Sequence, residues 1–320
     1  MTASPTPKLA SIAVIGAGAW GLALAAQAAR AGAAVTLWAR RPERVGERLP
    51  GVALPPGITV TGTLPAAGLL LLAVPLQHLR EVAAALPPGG PLVCCAKGIE
   101  TGTLALPLEI LAEVQPGRPV AALTGPSFAA EVAAGLPTAV VVAAREEALR
   151  RDVIARLATP PFRLYGNGDP VGAQVGGAAK NVIAIAAGAV IGAGLGENAR
   201  AALITRGIAE LSRLAVALGG QADTVAGLSG LGDLLLTSTS PASRNYSFGL
   251  ALGRGAQPAD ILAGRSAVTE GVATAPALVA RALRHGVAVP VAAAVAGVLG
   301  GRITMAQAIA ALLARRLTDE

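Results

Sequence analysis

The sequence predicts an α/β protein in two parts: a doubly wound parallel sheet covered by helices, followed by an all-α domain. In the first half, short continuous apolar runs alternate with helical patterns, and such runs indicate strands that are buried on both faces. From Asp169 onward the strand signal fades, and Ala/Leu/Ile-rich helical stretches continue to residue 317. A cluster of turn-forming residues, Tyr165–Pro170, lies between the halves. We therefore assign residues 1–168 to one domain and residues 169–320 to the other.

The individual elements follow from these runs in chain order. Eight apolar runs are predicted as strands: Ser11–Gly16, Ala34–Ala39, Ile58–Thr63, Gly68–Val74, Pro91–Ala96, Val120–Leu123, Thr138–Ala144 and Phe162–Tyr165. The clearest helical patterns between them are Ala19–Ala31, Leu76–Leu86, Leu104–Val114 and Arg145–Ala158.

A membrane span is not expected, although 53% of the residues are hydrophobic. A spanning helix needs about 20 consecutive apolar residues. The best candidate, Val182–Gly196, has only 15 and lies between Lys180 and Glu197, while Gly286–Gly301 is interrupted by Pro290. No charged-then-apolar signal peptide opens the chain. We expect a cytoplasmic protein.

The charge pattern favours a small anionic partner over nucleic acid. The net charge is +7, but the 26 basic residues are scattered, and the 2 Trp, 2 Tyr and 3 Phe provide no aromatic surface between them. The two cysteines, Cys94 and Cys95, are neighbours whose side chains would point to opposite faces of a strand. A structural disulfide is therefore not expected, and a reducing compartment fits.

A glycine motif directly follows the first predicted strand. Gly16, Gly18 and Gly21 form G-x-G-x-x-G at the point where a helix is predicted to begin. In the Rossmann type of dinucleotide-binding domain, these glycines allow a tight turn, room for a pyrophosphate and close packing of helix on strand. The phosphates then meet free N–H groups at the helix N-terminus. The alternative is an ordinary strand–helix turn in a chain with 40 glycines.

The end of the second predicted strand bears on the choice of cofactor. An NAD site usually has Asp or Glu there, but this chain has Arg40 and Arg41, with no carboxylate before Glu43. Guanidinium groups suit the 2′-phosphate of NADPH. We therefore expect NADPH to be preferred, with NADH still accepted. The alternative is that both arginines are solvated loop charges.

Missing motifs narrow the chemistry further. No lysine precedes Ser or Thr, which excludes a G-x-x-x-x-G-K-[ST] phosphate loop, and the segment around Ser229 lacks the final glycine of G-x-S-x-G. His78 and His285 are the only histidines, so neither a histidine metal site nor a triad is expected. We expect no metal, and a dehydrogenase would need lysine as its acid.

Two of the three lysines are placed for such a role. Lys97 follows an apolar strand, at the strand end where ligands bind in open α/β sheets. Lys180 is the lone charge in a long apolar helical stretch, and desolvation would lower its pKa. The alternative for Lys180 is a lysine at a helix end whose ammonium reaches solvent.

A third cluster lies in the predicted helical domain. Asp233 follows a glycine-rich turn and either caps an apolar helix or pairs with Lys180. Arg244 suits bidentate phosphate binding, whereas Arg244-Asn245 could also be a polar turn between helices.

Eight segments together resemble the bacterial NAD(P)-dependent glycerol-3-phosphate dehydrogenases, in the family's order and over most of the chain. The segments are IGAGAWG (15–21), LWARRPE (37–43), CCAKGIE (94–100), LTGPSFAAEV (123–132), AAKNVIAIAAG (178–188), GLSGLGDLLLT (227–237), SRNYSFG (243–249) and TEGVATA (269–275). The resemblance implies reduction of dihydroxyacetone phosphate to sn-glycerol 3-phosphate, feeding glycerophospholipid synthesis. It also implies a Rossmann domain and an α-helical domain of the 6-phosphogluconate dehydrogenase type, and it leaves a homodimer open.

The resemblance also implies roles for individual residues, with Lys180 as proton donor and Lys97 and Asp233 beside it. The implied substrate-binding residues are Lys97, Gly125, Ser127, Lys180, Asn181, Asp233, Thr237, Ser243, Arg244 and Asn245. The implied cofactor-binding residues are Gly16, Gly18, Ala19, Trp20, Gly21, Arg40, Arg41, Lys97, Ala129, Arg244, Val268 and Glu270. One departure is Thr269, which stands where the family usually has an apolar residue.

Two other functions are compatible with these residues. One is another two-domain NADP-dependent reductase, acting on a hydroxy acid or a phosphosugar acid. The other is a non-catalytic NADPH-binding sensor, which would keep the glycine motif but would have no reason to retain Lys97, Lys180 and Asp233 together.

Overall fold

The computed structural model describes residues 11–47, 49, 54–265 and 268–314. Its first half is built on one eight-stranded sheet with strand order β3-β2-β1-β4-β5-β6-β7-β8. The strands are β1 (Ser11–Ile15), β2 (Ala34–Trp38), β3 (Thr59–Thr61), β4 (Leu69–Leu72), β5 (Leu92–Cys94), β6 (Val120–Thr124), β7 (Thr138–Ala143) and β8 (Phe162–Asn167). All eight predicted strands are present, and six are shorter than the apolar runs. By contrast, β6 is one residue longer than predicted, and β8 continues to Asn167, into the cluster predicted to form a turn.

Helices cover both faces of the sheet, as the continuous apolar runs predict. Alternate residues of β1 belong to different cores: Ile12 and Val14 pack on one side, and Ala13 and Ile15 on the other. The first core includes α1 (Ala19–Arg30), α4 (Ala129–Ala134) and α5 (Glu147–Leu157); the second includes α2 (Leu79–Ala84) and α3 (Pro107–Val114). The doubly wound architecture is therefore confirmed.

The last two strands depart from a fully parallel sheet. β7 pairs antiparallel with β6, and β8 is parallel to β7. The connecting helix α4 has six residues and rises only about 9 Å, too little to return the chain along the length of a strand. The chain consequently enters β7 at the end of the sheet where β6 finished.

Two predicted helices begin three residues later than their apolar patterns, and α5 begins two residues later. The segment from Leu76 first forms a 3₁₀ turn, Leu76–His78, before α2. His78 therefore lies in that turn and not on the helix. The pattern from Leu104 becomes helical only at Pro107, because Leu104 has a positive φ of 65° and proline favours the first helical position.

The second half of the chain is helical from Pro170. Its helices are α6 (Pro170–Gly192), α7 (Gly196–Ala217), α8 (Ala222–Ala226), α9 (Asp233–Thr239), α10 (Arg244–Gly253), α11 (Pro258–Ala263), α12 (Glu270–Arg284), α13 (Pro290–Leu299) and α14 (Met305–Leu313). His285 follows α12, near a helix end as predicted. The predicted helix as far as residue 317 extends beyond the described residues.

Helix α6 is the centre of this half. Asp169 caps it: its Oδ1 accepts from the backbone N–H groups of Val171 and Gly172, at 3.1 and 2.9 Å, and its Oδ2 accepts from the N–H of Gln221 at 2.8 Å. Its 23 residues make α6 long and apolar enough to cross a membrane, yet 89% of its most apolar window is buried inside the protein. Helix α6 is thus a core helix.

Helices α6 and α10 approach to backbone contact. A Cβ atom added at Gly188 of α6 would lie 2.1 Å from the carbonyl oxygen of Tyr246, and one added at Gly249 of α10 would lie 1.9 Å from that of Ile185. Real Cβ atoms do not come this close to backbone oxygens. The glycines therefore bring α10 against the C-terminal half of α6.

We predict that Gly249→Ala destabilises the protein by about 2 kcal/mol, because the added methyl group forces α10 away from α6. The control is Gly264→Ala, at the end of α11, where the nearest atom to an added Cβ is 3.8 Å away. Urea unfolding of both variants gives the two free energies, and equal losses would contradict the close-packing argument.

Candidate active site

The glycine motif forms the turn between β1 and α1. Gly16 has a φ of +112°, which favours glycine, and a Cβ at Gly21 would lie 1.8 Å from the carbonyl oxygen of Gly16. By contrast, a Cβ at Gly18 would have no atom within 4 Å. The loop is therefore tight where helix meets strand and open where α1 begins. Ala19 and Trp20 are the first residues of that helix. This open helix N-terminus fits the pyrophosphate of a dinucleotide.

Arg40 and Arg41 lie just beyond β2, beside the glycine loop. The backbone N–H of Gly16 donates to the carbonyl of Trp38 at 3.0 Å, which ties the two strand ends together. Both arginines are exposed, and neither side chain bonds to another described residue. Two free guanidinium groups therefore stand where the adenosine end of a dinucleotide would lie.

Lys97, Lys180 and Asp233 meet at the boundary between the sheet and the helical half. Lys97 Nζ lies 2.5 Å from Asp233 Oδ2, and Lys180 Nζ donates to the other oxygen, Asp233 Oδ1. Lys180 Nζ also lies 2.9 Å from Thr237 Oγ1, and Lys97 Nζ lies 3.3 Å from the carbonyl oxygen of Gly125. One carboxylate thus holds two ammonium groups that come from different halves of the chain.

The structure excludes two of the alternatives that the sequence leaves open, Asp233 as a helix cap and Lys180 as a lysine at a helix end. Asp233 is the first residue of α9, follows a π-helical turn at Leu228–Gly232, and gives its carboxylate to the lysines instead of capping the helix. Lys180 lies in the interior of α6 with 8% of its surface exposed, so it is not a lysine at a helix end. A buried ammonium is costly unless it is paired, and Asp233 supplies the partner.

Burial tunes the Lys180 ammonium. Desolvation lowers the pKa of Lys180 to about 8, against the attraction of Asp233, which raises it, and with help from the like charge of Lys97. A lysine with this pKa can release and recover a proton near neutral pH. The arrangement therefore supplies a proton donor at a buried position.

A second polar cluster joins α6, α10 and α12. Asn245 Nδ2 donates to Asn181 Oδ1 at 2.8 Å, and Asn181 Nδ2 donates to Glu270 Oε2 at 3.4 Å. The pKa of Glu270 is raised above its ordinary value because desolvation outweighs the nearby charges of Arg244, Lys97 and Lys180, which lower it. Asn181 adjoins Lys180 along α6, so this cluster borders the lysine–aspartate cluster.

Arg244 begins α10, and its guanidinium makes no hydrogen bond or ion pair with a described side chain. Ser243 caps the helix, its Oγ accepting from the backbone N–H of Tyr246 at 3.2 Å. The residues at Arg244-Asn245 are therefore helical and not a polar turn. An exposed, unpaired guanidinium next to the buried clusters is suited to an anion.

The remaining predicted residues lie along two nearby segments. Gly125, which has a φ of +128°, follows β6, and Ser127 Oγ donates to its carbonyl oxygen at 3.0 Å. Ala129 then begins α4. Val268 is exposed and precedes the first residue of α12 by two positions.

Some contacts of the site have no signal in the sequence. The residue pattern indicates a possible partner for Asp233 in Lys180 only, and nothing in it indicates that Lys97 shares the same carboxylate. Thr124, at the end of β6, was not predicted as a site residue. Its buried hydroxyl has no hydrogen-bond partner among the described residues and would lie 2.8 Å from a Cβ added at Gly177 of α6. Among the described residues, no group of three or more His, Cys, Asp or Glu side chains could hold a metal ion.

The fold and this site define a class: two-part α/β proteins that place a dinucleotide-type glycine loop beside a buried lysine–aspartate cluster. Comparison with known families is more specific. The model for the NAD-dependent glycerol-3-phosphate dehydrogenase N-terminus matches residues 11–150, and the model for the C-terminus of the same family matches residues 169–310. The chain therefore belongs to the NAD-dependent glycerol-3-phosphate dehydrogenase family.

Individual relatives agree with this assignment. The chain is 55% identical over 253 residues to a glycerol-3-phosphate dehydrogenase [NAD(P)+] from Gluconobacter oxydans, covering 76% of this chain and 78% of the relative. It is 56% identical over 267 residues to one from Acidiphilium cryptum, covering 81% and 82%. A crystal structure of glycerol-3-phosphate dehydrogenase from Coxiella burnetii superimposes with a TM-score of 0.91 at 36% identity, covering 97% of this chain and 100% of that chain.

We predict that Lys180 titrates near pH 8 and that Asp233→Asn lowers its pKa further, because the carboxylate that favours the ammonium is lost. NMR of protein labelled in lysine side chains suits this test, since the chain has three lysines, and Lys8→Arg and Lys97→Arg assign the other two signals. A Lys180 pKa near 10.5, or one unchanged by Asp233→Asn, would contradict the assigned electrostatics.

Proposed function

We propose that the protein reduces dihydroxyacetone phosphate to sn-glycerol 3-phosphate, reversibly, with NADPH as the preferred reductant. The observation that carries this proposal is the cluster in which Lys180 and Lys97 share the buried carboxylate of Asp233. The family membership and the names of the relatives support the substrate. Residues 1–168 act as the dinucleotide-binding domain and residues 169–320 as the substrate domain.

Lys180 is the proton donor of the proposed reaction. When bound, the nicotinamide of the reduced cofactor supplies a hydride to the substrate's C2 carbon. The ammonium of Lys180 then gives a proton from Nζ to the oxygen on C2, so that no free alkoxide forms. Its pKa of about 8 leaves the ammonium charged at neutral pH but ready to donate. In the oxidation direction, the neutral amine takes the proton back.

Asp233 and Lys97 prepare this group for its task. The carboxylate holds Lys180 Nζ in place, and Thr237 Oγ1, 2.9 Å away, restricts it further. Lys97 supplies a second positive charge beside the reacting oxygen, while its bond to Gly125 links the site to the end of β6. The two lysines and one carboxylate leave a net positive charge, which suits an anionic substrate.

Arg244 binds the substrate phosphate in the proposed reaction. Its guanidinium is unpaired and exposed, and Asn245, the next residue, has its amide directed towards Asn181 beside Lys180. Because the phosphate is remote from the reacting carbon, the free energy of binding it is used to hold C2 in the orientation that the reaction needs. Ser243, Gly125 and Ser127 complete the substrate site.

The cofactor would bind at the ends of the parallel strands. The loop of Gly16, Gly18 and Gly21 would hold its pyrophosphate, and Arg40 and Arg41 would hold the adenosine 2′-phosphate of NADPH. Ala19, Trp20, Ala129, Val268 and Glu270 line the rest of this path, together with Lys97 and Arg244.

We also propose a cellular setting for this reaction. A cytoplasmic enzyme of this kind supplies the glycerol phosphate backbone for glycerophospholipids. Two copies of the chain could form a homodimer, which light scattering of the purified protein would measure.

Lys180→Ala is expected to lower turnover with dihydroxyacetone phosphate by a factor of about 100 to 10,000, because the proton donor is lost. Binding of NADPH, followed by its fluorescence, should stay nearly unchanged. Lys8→Ala is the control, since it removes a lysine that carries no assigned role. If turnover survives in Lys180→Ala, the assignment of the acid is wrong.

Arg40→Ala with Arg41→Ala is expected to raise KM for NADPH at least about tenfold and to leave KM for NADH nearly constant, because only NADPH carries the 2′-phosphate. Arg44→Ala, in the same exposed segment but paired with Glu47, is the matched control. Equal kinetics with both cofactors, unaltered in the double variant, would reject the preference for NADPH.

A further inference from the structure

A continuous chain of hydrogen bonds connects the N-terminal turn of α12 with α10 and α6 and then returns to α12. The backbone N–H of Gly271 donates to Asn245 Oδ1 at 3.0 Å, and Asn245 Nδ2 donates to Asn181 Oδ1 at 2.8 Å. Asn181 Nδ2 donates to Glu270 Oε2 at 3.4 Å. Gly271 and Glu270 are neighbours, so the chain closes on the first turn of α12.

Close packing of α12 against α6 and α10 maintains this chain of hydrogen bonds. A Cβ added at Gly271 would lie 2.7 Å from the carbonyl oxygen of Asn181 and 2.8 Å from Asn245 Oδ1. Only glycine lets α12 approach these two asparagines. Asn245 and Asn181 are both buried.

The groups at the two ends of this chain of hydrogen bonds set its donor-to-acceptor direction. The Gly271 N–H can only donate, so Asn245 must turn its oxygen towards it and its amide nitrogen towards Asn181. Asn181 must then turn its oxygen towards Asn245, which leaves its nitrogen facing Glu270. An ionised carboxylate can only accept. Glu270 therefore completes a sequence in which every donor faces an acceptor.

We propose that Glu270 is a positioning residue that fixes the orientation of the Asn181 and Asn245 amides for the substrate. Each amide nitrogen has two hydrogens, and only one hydrogen on each nitrogen takes part in the chain of hydrogen bonds. The second side-chain N–H group of Asn181 belongs to the residue that follows Lys180. The second side-chain N–H group of Asn245 belongs to the residue that follows Arg244. A fixed orientation presents both as donors to substrate oxygens, whereas a flipped amide would present its oxygen.

Three cations limit the effect of burial on the Glu270 carboxylate. Burial raises the pKa of Glu270 above its ordinary value, and the charges of Arg244, Lys97 and Lys180 oppose that rise only in part. Glu270 is also the first residue of α12, where a negative charge is favourable. The expected effect on substrate binding rests on the proposed function, whereas the orientation of the two amides does not.

The test compares Glu270→Gln with Glu270→Met. Both variants remove the charge and keep a side chain of similar length, but only glutamine retains an oxygen that can accept from Asn181. The matched control is Glu147→Met, which removes an exposed glutamate from the first position of α5. It reproduces the loss of a charge at a helix N-terminus, away from the chain of hydrogen bonds.

We expect Glu270→Met to raise KM for dihydroxyacetone phosphate about tenfold relative to the parent, and by clearly more than Glu270→Gln does. The Kd of NADPH in the binary complex should change less than this KM. In ¹⁵N spectra of the free protein, the side-chain amide signals of Asn181 and Asn245 should shift and exchange faster in Glu270→Met only. Glu147→Met should resemble the parent in every readout.

A second pair of variants covers the case in which Glu270→Met does not fold. Asn181→Asp places two carboxylates against each other at the last link, and adding Glu270→Gln restores a donor facing an acceptor in the reverse direction. The double variant should recover the Asn245 amide signal that Asn181→Asp loses.

Three results would overturn the proposal: equal KM values in Glu270→Gln and Glu270→Met, an effect confined to the Kd of NADPH, or no recovery in the double variant. If the parent protein does not oxidise NADPH with dihydroxyacetone phosphate, the proposed function fails instead, while the amide signals still report on Glu270.

Discussion

A single buried carboxylate organises the candidate site. Asp233 is 1% exposed and binds two ammonium groups, one from the end of a sheet strand and one from the interior of the central helix. Neither lysine could be buried at this cost without it, because an unpaired ammonium in a protein interior loses its hydration without compensation. The same pairing joins the two halves of the molecule: Asp233 raises the pKa of Lys180 against the larger, lowering effect of burial, and its bond to Lys97 holds the strand end against the helical half.

The backbone geometry that delivers these groups depends on close helix packing. Glycines allow α10 to contact α6 directly, and Gly271 allows α12 to approach the same helix. These contacts place Arg244, Asn245 and Glu270 around Lys180 and Asn181, although these residues are far apart in the sequence. The site is therefore a property of the helical core, and the sheet contributes Lys97, Gly125 and the glycine loop at its edge.

Much of this arrangement could be predicted from the sequence, but not all of it. Apolar runs and turn residues gave the eight strands and the transition to helices, because burial on both faces leaves a local pattern. The glycine motif and the unusual lysines were visible for the same reason. The reversal of β7 and β8 was not, since it depends on the length of α4. Nor were the Lys97–Asp233 bond and the Asn181–Glu270 link, which join residues 136 and 89 positions apart and leave no periodic signal.

The most direct test of Lys180 as the acid is the pH dependence of kcat/KM in both directions. Reduction needs the ammonium, so its rate should fall as pH rises through the pKa of about 8; oxidation needs the neutral amine, so its rate should rise over the same interval. We expect the two pH profiles to have opposite slopes and a common midpoint, which shifts to lower pH in Asp233→Asn. Profiles that are flat around pH 8, or that change in the same sense in both directions, would contradict it.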